Sequence, residues 1–162
     1  MTTKHAISSA SATALFSLAC LVCANPGFAK DEQRPEVTES SRLTSPETAQ
    51  WVSCGGEEQG VPKGCEFAVV NGDPSKGPAH VLIRVPASAR FPKLWHSTPE
   101  HGVMIQGKFI AVGEDGQEFA VMPGTYWYFP AGFIHGGAAC SSEGPCLFYE
   151  AYDKPFDVTI VR

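Results

Sequence analysis

Two histidines and one glutamate form a pattern that could hold a metal ion. His96 and Glu100 are four residues apart, and His135 closes the segment Gly124-Thr-Tyr-Trp-Tyr-Phe-Pro130-Ala-Gly132-Phe-Ile-His135. Two imidazole nitrogens and a carboxylate oxygen form a set with open coordination positions, which suits Fe(II) and also Mn, Ni, Co or Zn. We therefore expect His96, Glu100 and His135 to bind a divalent metal ion.

A strand and a tight turn must aim His135 at the interior. Pro130 and Gly132 are turn residues that follow a strand at 125–129, so His135 re-enters the fold on the next strand. Alternation along 125–129 places Tyr126 and Tyr128 on one face and Trp127 and Phe129 on the other, so at most half of these rings face a ligand. The late pair Tyr149 and Glu150 is a weaker candidate for a polar contact.

The rest of the chain predicts an all-β fold of short strands. From Glu66 onward, β-rich runs alternate with turns of Gly, Pro, Asp and Asn, and no long helical period appears. Many short strands at this spacing are typical of a sandwich or barrel. The predicted strands are Phe67–Val70, Val81–Val85, Gly102–Gln106, Phe109–Val112, Glu118–Val121, Thr125–Phe129, Leu147–Ala151 and Phe156–Val161.

Both ligand segments resemble the characteristic motifs of the cupin superfamily. The segment that ends at His135 reads G-x5-P-x-G-x2-H, although Ala139 stands where this motif often ends in Asn. The other resembles H-x-H-x3 or x4-E-x6-G, with His96 as its second histidine, Glu100 as its carboxylate and Gly107 as its glycine. The resemblance implies a single cupin domain, a double-stranded β-helix or jelly-roll barrel, over residues 45–162.

The first motif departs from its pattern at Leu94, where its first histidine should stand. A metal site here has therefore lost one of four usual ligands or recruited another, and the candidate replacements are His101 and His80. Strand alternation points Glu100 and His101 to opposite faces, so only one of them reaches the metal, and we favour Glu100 because its spacing to Gly107 fits the motif. If the preceding loop ends one residue later, His101 fits instead.

Residues 64–160 also resemble small bacterial cupins of unassigned activity, which are similar to the cupin domain of zinc-binding anti-sigma factors. We expect either a metal-dependent enzyme, oxidoreductase or dioxygenase-like, or a non-catalytic protein that binds a small ligand or a metal. In the enzyme, His101 or Tyr128 would move protons. The fold alone does not decide between these functions. A homodimer is the oligomer that the resemblance implies.

The first 29 residues predict a secretory signal peptide. Lys4 and His5 precede an apolar run at 12–24, which is too short to span a bilayer, and Gly27 and Ala29 suit cleavage after Ala29. A lipoprotein is less favoured because the residues before Cys20 and Cys23 do not form a lipobox. We expect a periplasmic or secreted protein without a stable membrane anchor, with a flexible polar arm at 30–44.

Charge and cysteine content restrict the partners and the compartment. The net charge of the whole chain is −5, and removal of 1–29 takes away one lysine and no acid, which leaves about −6. Nucleic acid is excluded as a partner because a basic stripe is missing, so a small molecule is expected. In an oxidising compartment Cys54 should pair with Cys65, and Cys140 with Cys146, as structural disulfides.

Overall fold

Short β-strands make up the part of the chain that the structure describes. The computed structural model describes residue 36 and residues 40–56, 59–112 and 116–162, and Ser41–Arg162 is one compact unit. Its strands are β1 (Val52–Ser53), β2 (Glu66–Gly72), β3 (Ala79–Val85), β4 (Lys93–Trp95), β5 (Glu100–Gln106), β6 (Phe109–Val112), β7 (Glu118–Val121), β8 (Tyr126–Phe129), β9 (His135–Gly136), β10 (Ala139–Cys140), β11 (Cys146–Tyr152) and β12 (Thr159–Ile160).

The predicted signal peptide, 1–29, lies outside the described residues. So does most of the predicted arm, of which only residue 36 and residues 40–44 are described. No helix in the described residues has the length and apolar character that crossing a membrane requires.

The strands form one large sheet and two small ones, and every pairing is antiparallel. The large sheet has the order β1-β2-β3-β11-β5-β8, and the small sheets have the orders β10-β6-β7 and β12-β4-β9. In the large sheet β1, β2 and β3 are consecutive, whereas β3 pairs with β11, β11 with β5 and β5 with β8, so long-range pairing forms much of this sheet. The all-β prediction is confirmed.

Alternation along the central strands separates an inner face from an outer face. On β5, Glu100 and Met104 are buried while His101 and Val103 are partly exposed. On β11, Phe148 and Glu150 point inward, because alternate side chains of a strand lie on opposite faces of the sheet. The inner face therefore carries both core and candidate site residues.

Both expected disulfides are present. Cys54 is bonded to Cys65 and Cys140 to Cys146. Cys65, Cys140 and Cys146 belong to one buried cluster with Val85, Met104 and Phe148.

Seven of the eight predicted strands match strands of the structure closely. The exception is 156–161, where only Thr159–Ile160 pairs, with β4. Three strands of two or three residues, β1, β4 and β10, were not predicted, and β9 was predicted only as the strand on which His135 re-enters the fold. Segments this short carry too few positions to show alternation, so their pairing depends on tertiary context.

Candidate metal centre

His96, Glu100 and His135 converge on one point inside the barrel. His96 directly follows β4, Glu100 begins β5, and His135 begins β9. The Nε2 atoms of His96 and His135 lie 3.1 Å and 3.4 Å from Oε2 of Glu100, and one ligand atom from each residue lies within 4.8 Å of the other two. Three different segments thus bring together the residues that the two motifs predicted.

The turn before His135 is tied directly to His96. Gly132 has a φ of +79°, a left-handed conformation that favours glycine, and its N–H donates to the backbone oxygen of His96 over 2.8 Å. The N–H of Phe133 donates to the oxygen of Pro130 over 3.0 Å. Pro130 and Gly132 therefore fix the position of His135 relative to His96.

Each histidine uses Nδ1 for a backbone carbonyl and turns Nε2 toward Glu100. Nδ1 of His96 donates to the oxygen of Asp157, and Nδ1 of His135 donates to the oxygen of Phe133 over 3.0 Å. A carbonyl can only accept, so the hydrogen must be on Nδ1 and the lone pair of the neutral ring is on Nε2. This is the arrangement of metal-binding histidines, and the three residues fit a divalent ion.

Trp127 fixes the orientation of the Glu100 carboxylate. Nε1 of Trp127 donates to Oε1 of Glu100 over 2.6 Å, which leaves Oε2 to face the two histidines. Trp127 reaches this position by lying over Gly102, its partner across β5 and β8, where an added Cβ would come within 2.0 Å of the indole. Gly102 therefore leaves the space that the indole occupies.

The charges of the three residues are coupled. Burial alone would raise the pKa of Glu100, but its hydrogen bonds and charge attraction to His135 and His96 outweigh burial and lower it. Burial lowers the pKa of His135, but the contact with Glu100 raises it above its ordinary value overall. The cluster thus favours an ionised Glu100 carboxylate beside a positive charge, which a divalent metal ion bound by neutral histidines would supply.

The cluster lies in a cavity of about 1210 Å³ with mainly apolar walls. Phe129 stacks on the ring of His135 with a centroid distance of 4.6 Å, and Phe156 lies 4.8 Å from His96. Such a space is large enough for a small organic ligand beside the three polar residues.

The family model described as the ChrR cupin-like domain matches residues 39–153 of this chain. The chain belongs to the ChrR cupin-like domain family. This agrees with the sequence resemblance to the cupin superfamily. None of the curated proteins compared with this cupin matches it.

Solved structures share the cupin's fold at low sequence identity. The polyketide cyclase RemF from Streptomyces resistomycificus has a TM-score of 0.63 at 16% identity, over 76% of this chain and 87% of that one. An acetylacetone dioxygenase from Acinetobacter johnsonii has a TM-score of 0.59 at 16% identity, over 83% and 85%. KdgF from Halomonas sp. has a TM-score of 0.56 at 19% identity, over 72% and 94%.

Leu94 faces the cavity of this cupin. It is 6% exposed, lines the cavity and pairs directly with His135 across β4 and β9. Directly paired residues have their side chains on the same face, so Leu94 lies beside His135. The motif's missing histidine therefore leaves an apolar side chain next to the cluster.

The other candidates of the sequence analysis lie on the outer face of the large sheet. His101 bonds to the hydroxyl of Tyr126 over 2.8 Å, and its ring centroid lies 4.9 Å from that of Tyr128. His80 bonds to the hydroxyl of Tyr149. None of His80, His101 and Tyr128 lines the cavity, because each alternates with an inward neighbour. This placement argues against His80 or His101 as a ligand and against His101 or Tyr128 as a proton carrier at this centre.

Sequence reasoning missed three residues of the site. Trp127 was recognised only as one of several rings, Glu150 only as a weaker polar candidate, and Tyr152 not at all. Glu150 is 7% exposed and accepts a hydrogen bond from the Tyr152 hydroxyl. Burial and the neighbouring Glu100 raise the pKa of Glu150 well above its ordinary value. The sequence signal that could have identified Glu150 is an acid among the apolar residues at alternate positions of a predicted strand.

Proposed function

We propose that this chain is an exported cupin that binds one divalent metal ion through His96, Glu100 and His135 and acts as a metal-dependent enzyme, oxidoreductase or dioxygenase-like, on a small organic molecule. The convergence of two Nε2 atoms and a carboxylate oxygen in a ligand-sized cavity carries this proposal. The set leaves coordination positions open for a substrate.

Iron, manganese, nickel and zinc all suit these ligands, and such an ion supplies Lewis acidity at the open positions. The chain's own residues orient the ligand atoms. The carbonyls of Asp157 and Phe133 fix the two rings, and Trp127 fixes the carboxylate. Phe129 and Phe156 line the cavity beside the histidines.

Export is part of the proposal. The apolar run and small residues before Ala29 support a cleaved signal peptide, which directs the protein to the periplasm or the medium. The two disulfides support the same compartment, because such bonds persist where the environment is oxidising.

The deciding experiment is elemental mass spectrometry of protein purified without chelators. We expect about one equivalent of a divalent metal in the wild type and almost none in His135→Ala. His101→Ala, which removes a histidine from the outer face, is the matched control and should keep its metal. A His135→Ala protein with unchanged stoichiometric metal would refute the centre.

A non-catalytic binding protein is the second candidate, and Leu94 is the observation that favours it. With an apolar residue beside His135, the set has three ligands instead of four and binds metal more weakly. Oxygen uptake by the iron-loaded protein separates the two candidates. Acetylacetone is a suitable first substrate because a structural neighbour is described as its dioxygenase. Uptake above the His135→Ala background supports the enzyme, whereas ligand-induced spectral changes without uptake across a wider panel support the binding protein.

A further inference from the structure

Glu150 is a buried acid that the metal ligands do not use. Buried polar residues in the described chain are His96, Thr98, Glu100 and Glu150, and of the two outside the ligand set only Glu150 lines the cavity. Its oxygen Oε2 accepts the Tyr152 hydroxyl, and its carboxyl group also shares a hydrogen bond with Glu100. Because Glu150 lines the cavity, its carboxyl group is also placed to hydrogen-bond a ligand there.

The position of Glu150 relates it to the metal ligands. On β11, Tyr152 pairs with Glu100 and Glu150 pairs with Gly102, so both inward side chains of β11 lie beside the start of β5. Glu150 is close enough to Glu100 for the two carboxyl groups to interact. The ring of Tyr152 lies 6.4 Å from that of His96, centroid to centroid. A ligand that reaches the metal centre therefore also passes Glu150.

Charge restricts the chemical group that Glu150 can take. A cationic group would be repelled by a divalent ion at the same end of the cavity. A neutral hydroxyl both donates and accepts hydrogen bonds, so it satisfies an acid in either protonation state. The apolar walls suit a ligand whose remaining surface is apolar.

We infer that Glu150, held in place by Tyr152, binds a hydroxyl group of the ligand next to the oxygen that the metal takes. The ligands are then molecules with an apolar body and two adjacent oxygens, at least one of which is a hydroxyl. This inference rests on the proposed metal centre. Sites that hydrogen-bond a buried hydroxyl discriminate strongly against analogues that lack it, so Glu150 is a specificity-determining residue.

The test compares two probes by calorimetry on zinc-loaded protein, since zinc is redox-inert and binding is measured without turnover. The probes are 2,3-dihydroxynaphthalene, which has two adjacent oxygens, and 2-naphthol, which has one. We expect the wild type to prefer the diol. Glu150→Leu should keep its zinc and its 2-naphthol affinity but lose about ten-fold or more in diol affinity, the effect of one buried hydrogen bond.

Three further variants make the result specific. Glu150→Gln keeps the shape and the hydrogen-bonding capacity, so it should retain most of the diol affinity and also guards against a misfolded Leu variant. Tyr152→Phe removes the hydroxyl that holds Glu150 and should weaken diol binding. Tyr149→Phe, the same change on the outer face of the same strand, should leave diol binding unchanged.

The outcomes separate the two proposals. A wild type that takes up no zinc refutes the metal centre, and this inference falls with it. Zinc uptake with equal diol affinity in the wild type and Glu150→Leu refutes the inference alone. A selective loss of diol affinity in Glu150→Leu and Tyr152→Phe, with zinc retained, supports it.

Discussion

The inner face of the barrel has two regions of opposite character, although the same strands build both. Along β5, Glu100 lies in the candidate metal centre and Met104 lies in the disulfide-lined core. Along β11, Glu150 lies beside the metal centre and Cys146 lies in that core. Four residues along a strand thus separate a region of buried acids and histidines from a region of apolar and cystine side chains.

This difference indicates where stability and function lie. In the core, burial of apolar surface and two covalent cross-links favour the folded state. At the metal centre, each buried polar group costs free energy unless it forms hydrogen bonds. His96, Glu100 and Glu150 offset that cost mainly by side-chain contacts with one another. We therefore expect changes in the core to lower stability and changes at the centre to alter binding.

The largest expected effect is the loss of stability in Met104→Ala. Met104 is 1% exposed and packs in the disulfide-lined core, so its removal leaves a cavity and should lower the free energy of unfolding by about 2–5 kcal/mol. Chemical denaturation measures this. Met122→Ala, at a side chain that is 47% exposed, is the control and should change little. Metal content at low temperature should not change in either variant. A loss of metal in folded Met104→Ala would contradict the separation of the disulfide-lined core from the metal centre.

Removal of the Cys140–Cys146 disulfide should have the next largest effect. The double change Cys140→Ser and Cys146→Ser frees a short loop of the unfolded chain, which should cost about 2–3 kcal/mol of unfolding free energy. Metal content should stay near that of the wild type. A variant as stable as the oxidised wild type would show that this cross-link does not stabilise the core.

Trp127→Phe should affect the metal centre more than the core. Phenylalanine keeps an aromatic ring over Gly102 but removes the N–H that holds Oε1 of Glu100. Loss of a partner that orients a metal ligand weakens metal binding by about 10–100-fold, which competition with a chelator measures.

Trp51→Phe is the matched control for this change. The Nε1 of Trp51 also donates a hydrogen bond, to the oxygen of Pro46 over 2.9 Å, and its ring lies against Arg84 outside the cavity. Loss of the Trp51 N–H in this variant should leave the metal affinity unchanged. Equal effects of the two variants would mean that Trp127 acts through general stability and not through Glu100.

The strands and the three converging residues could be predicted from the sequence because each has a local signal. Runs such as 81–85 are rich in β-branched residues, and turns such as 130–132 contain Pro and Gly at fixed spacing. The motif resemblance then related His96 and Glu100 to His135, which are distant in the chain. This part of the prediction needed no knowledge of side-chain contacts.

The supporting residues of the site could not be found in this way. Trp127 supports Glu100 only because Gly102 lies opposite it, and this pairing joins strands that are separated by β6 and β7. Likewise, Asp157 holds His96 through a backbone oxygen, which no side-chain pattern reveals. Whether Glu100 or the adjacent His101 faces inward depends on where β5 begins, and strand boundaries are the least predictable feature of a sequence.

The smallest expected effect is also the one that most sharply tests why the two regions differ. Leu94 is the apolar residue that lies among the polar groups of the metal centre, paired with His135. In Leu94→His, an added imidazole beside His135 should tighten metal binding by about ten-fold, because it supplies a fourth ligand. Without metal, the same buried ring lacks a partner, so the apoprotein should lose about 1–3 kcal/mol of unfolding free energy.

Measurement of both quantities distinguishes a ligand from a mere polar substitution in Leu94→His. Chelator competition gives the metal affinity, and denaturation with and without metal gives the stability that the metal restores. Ile105→His, which adds a histidine to the outer face of β5, is the control and should leave the affinity unchanged. Lower stability in Leu94→His without tighter metal binding would mean that residue 94 does not reach the ion. In that case the three-ligand set is the complete protein contribution, and the open positions belong to the small molecule.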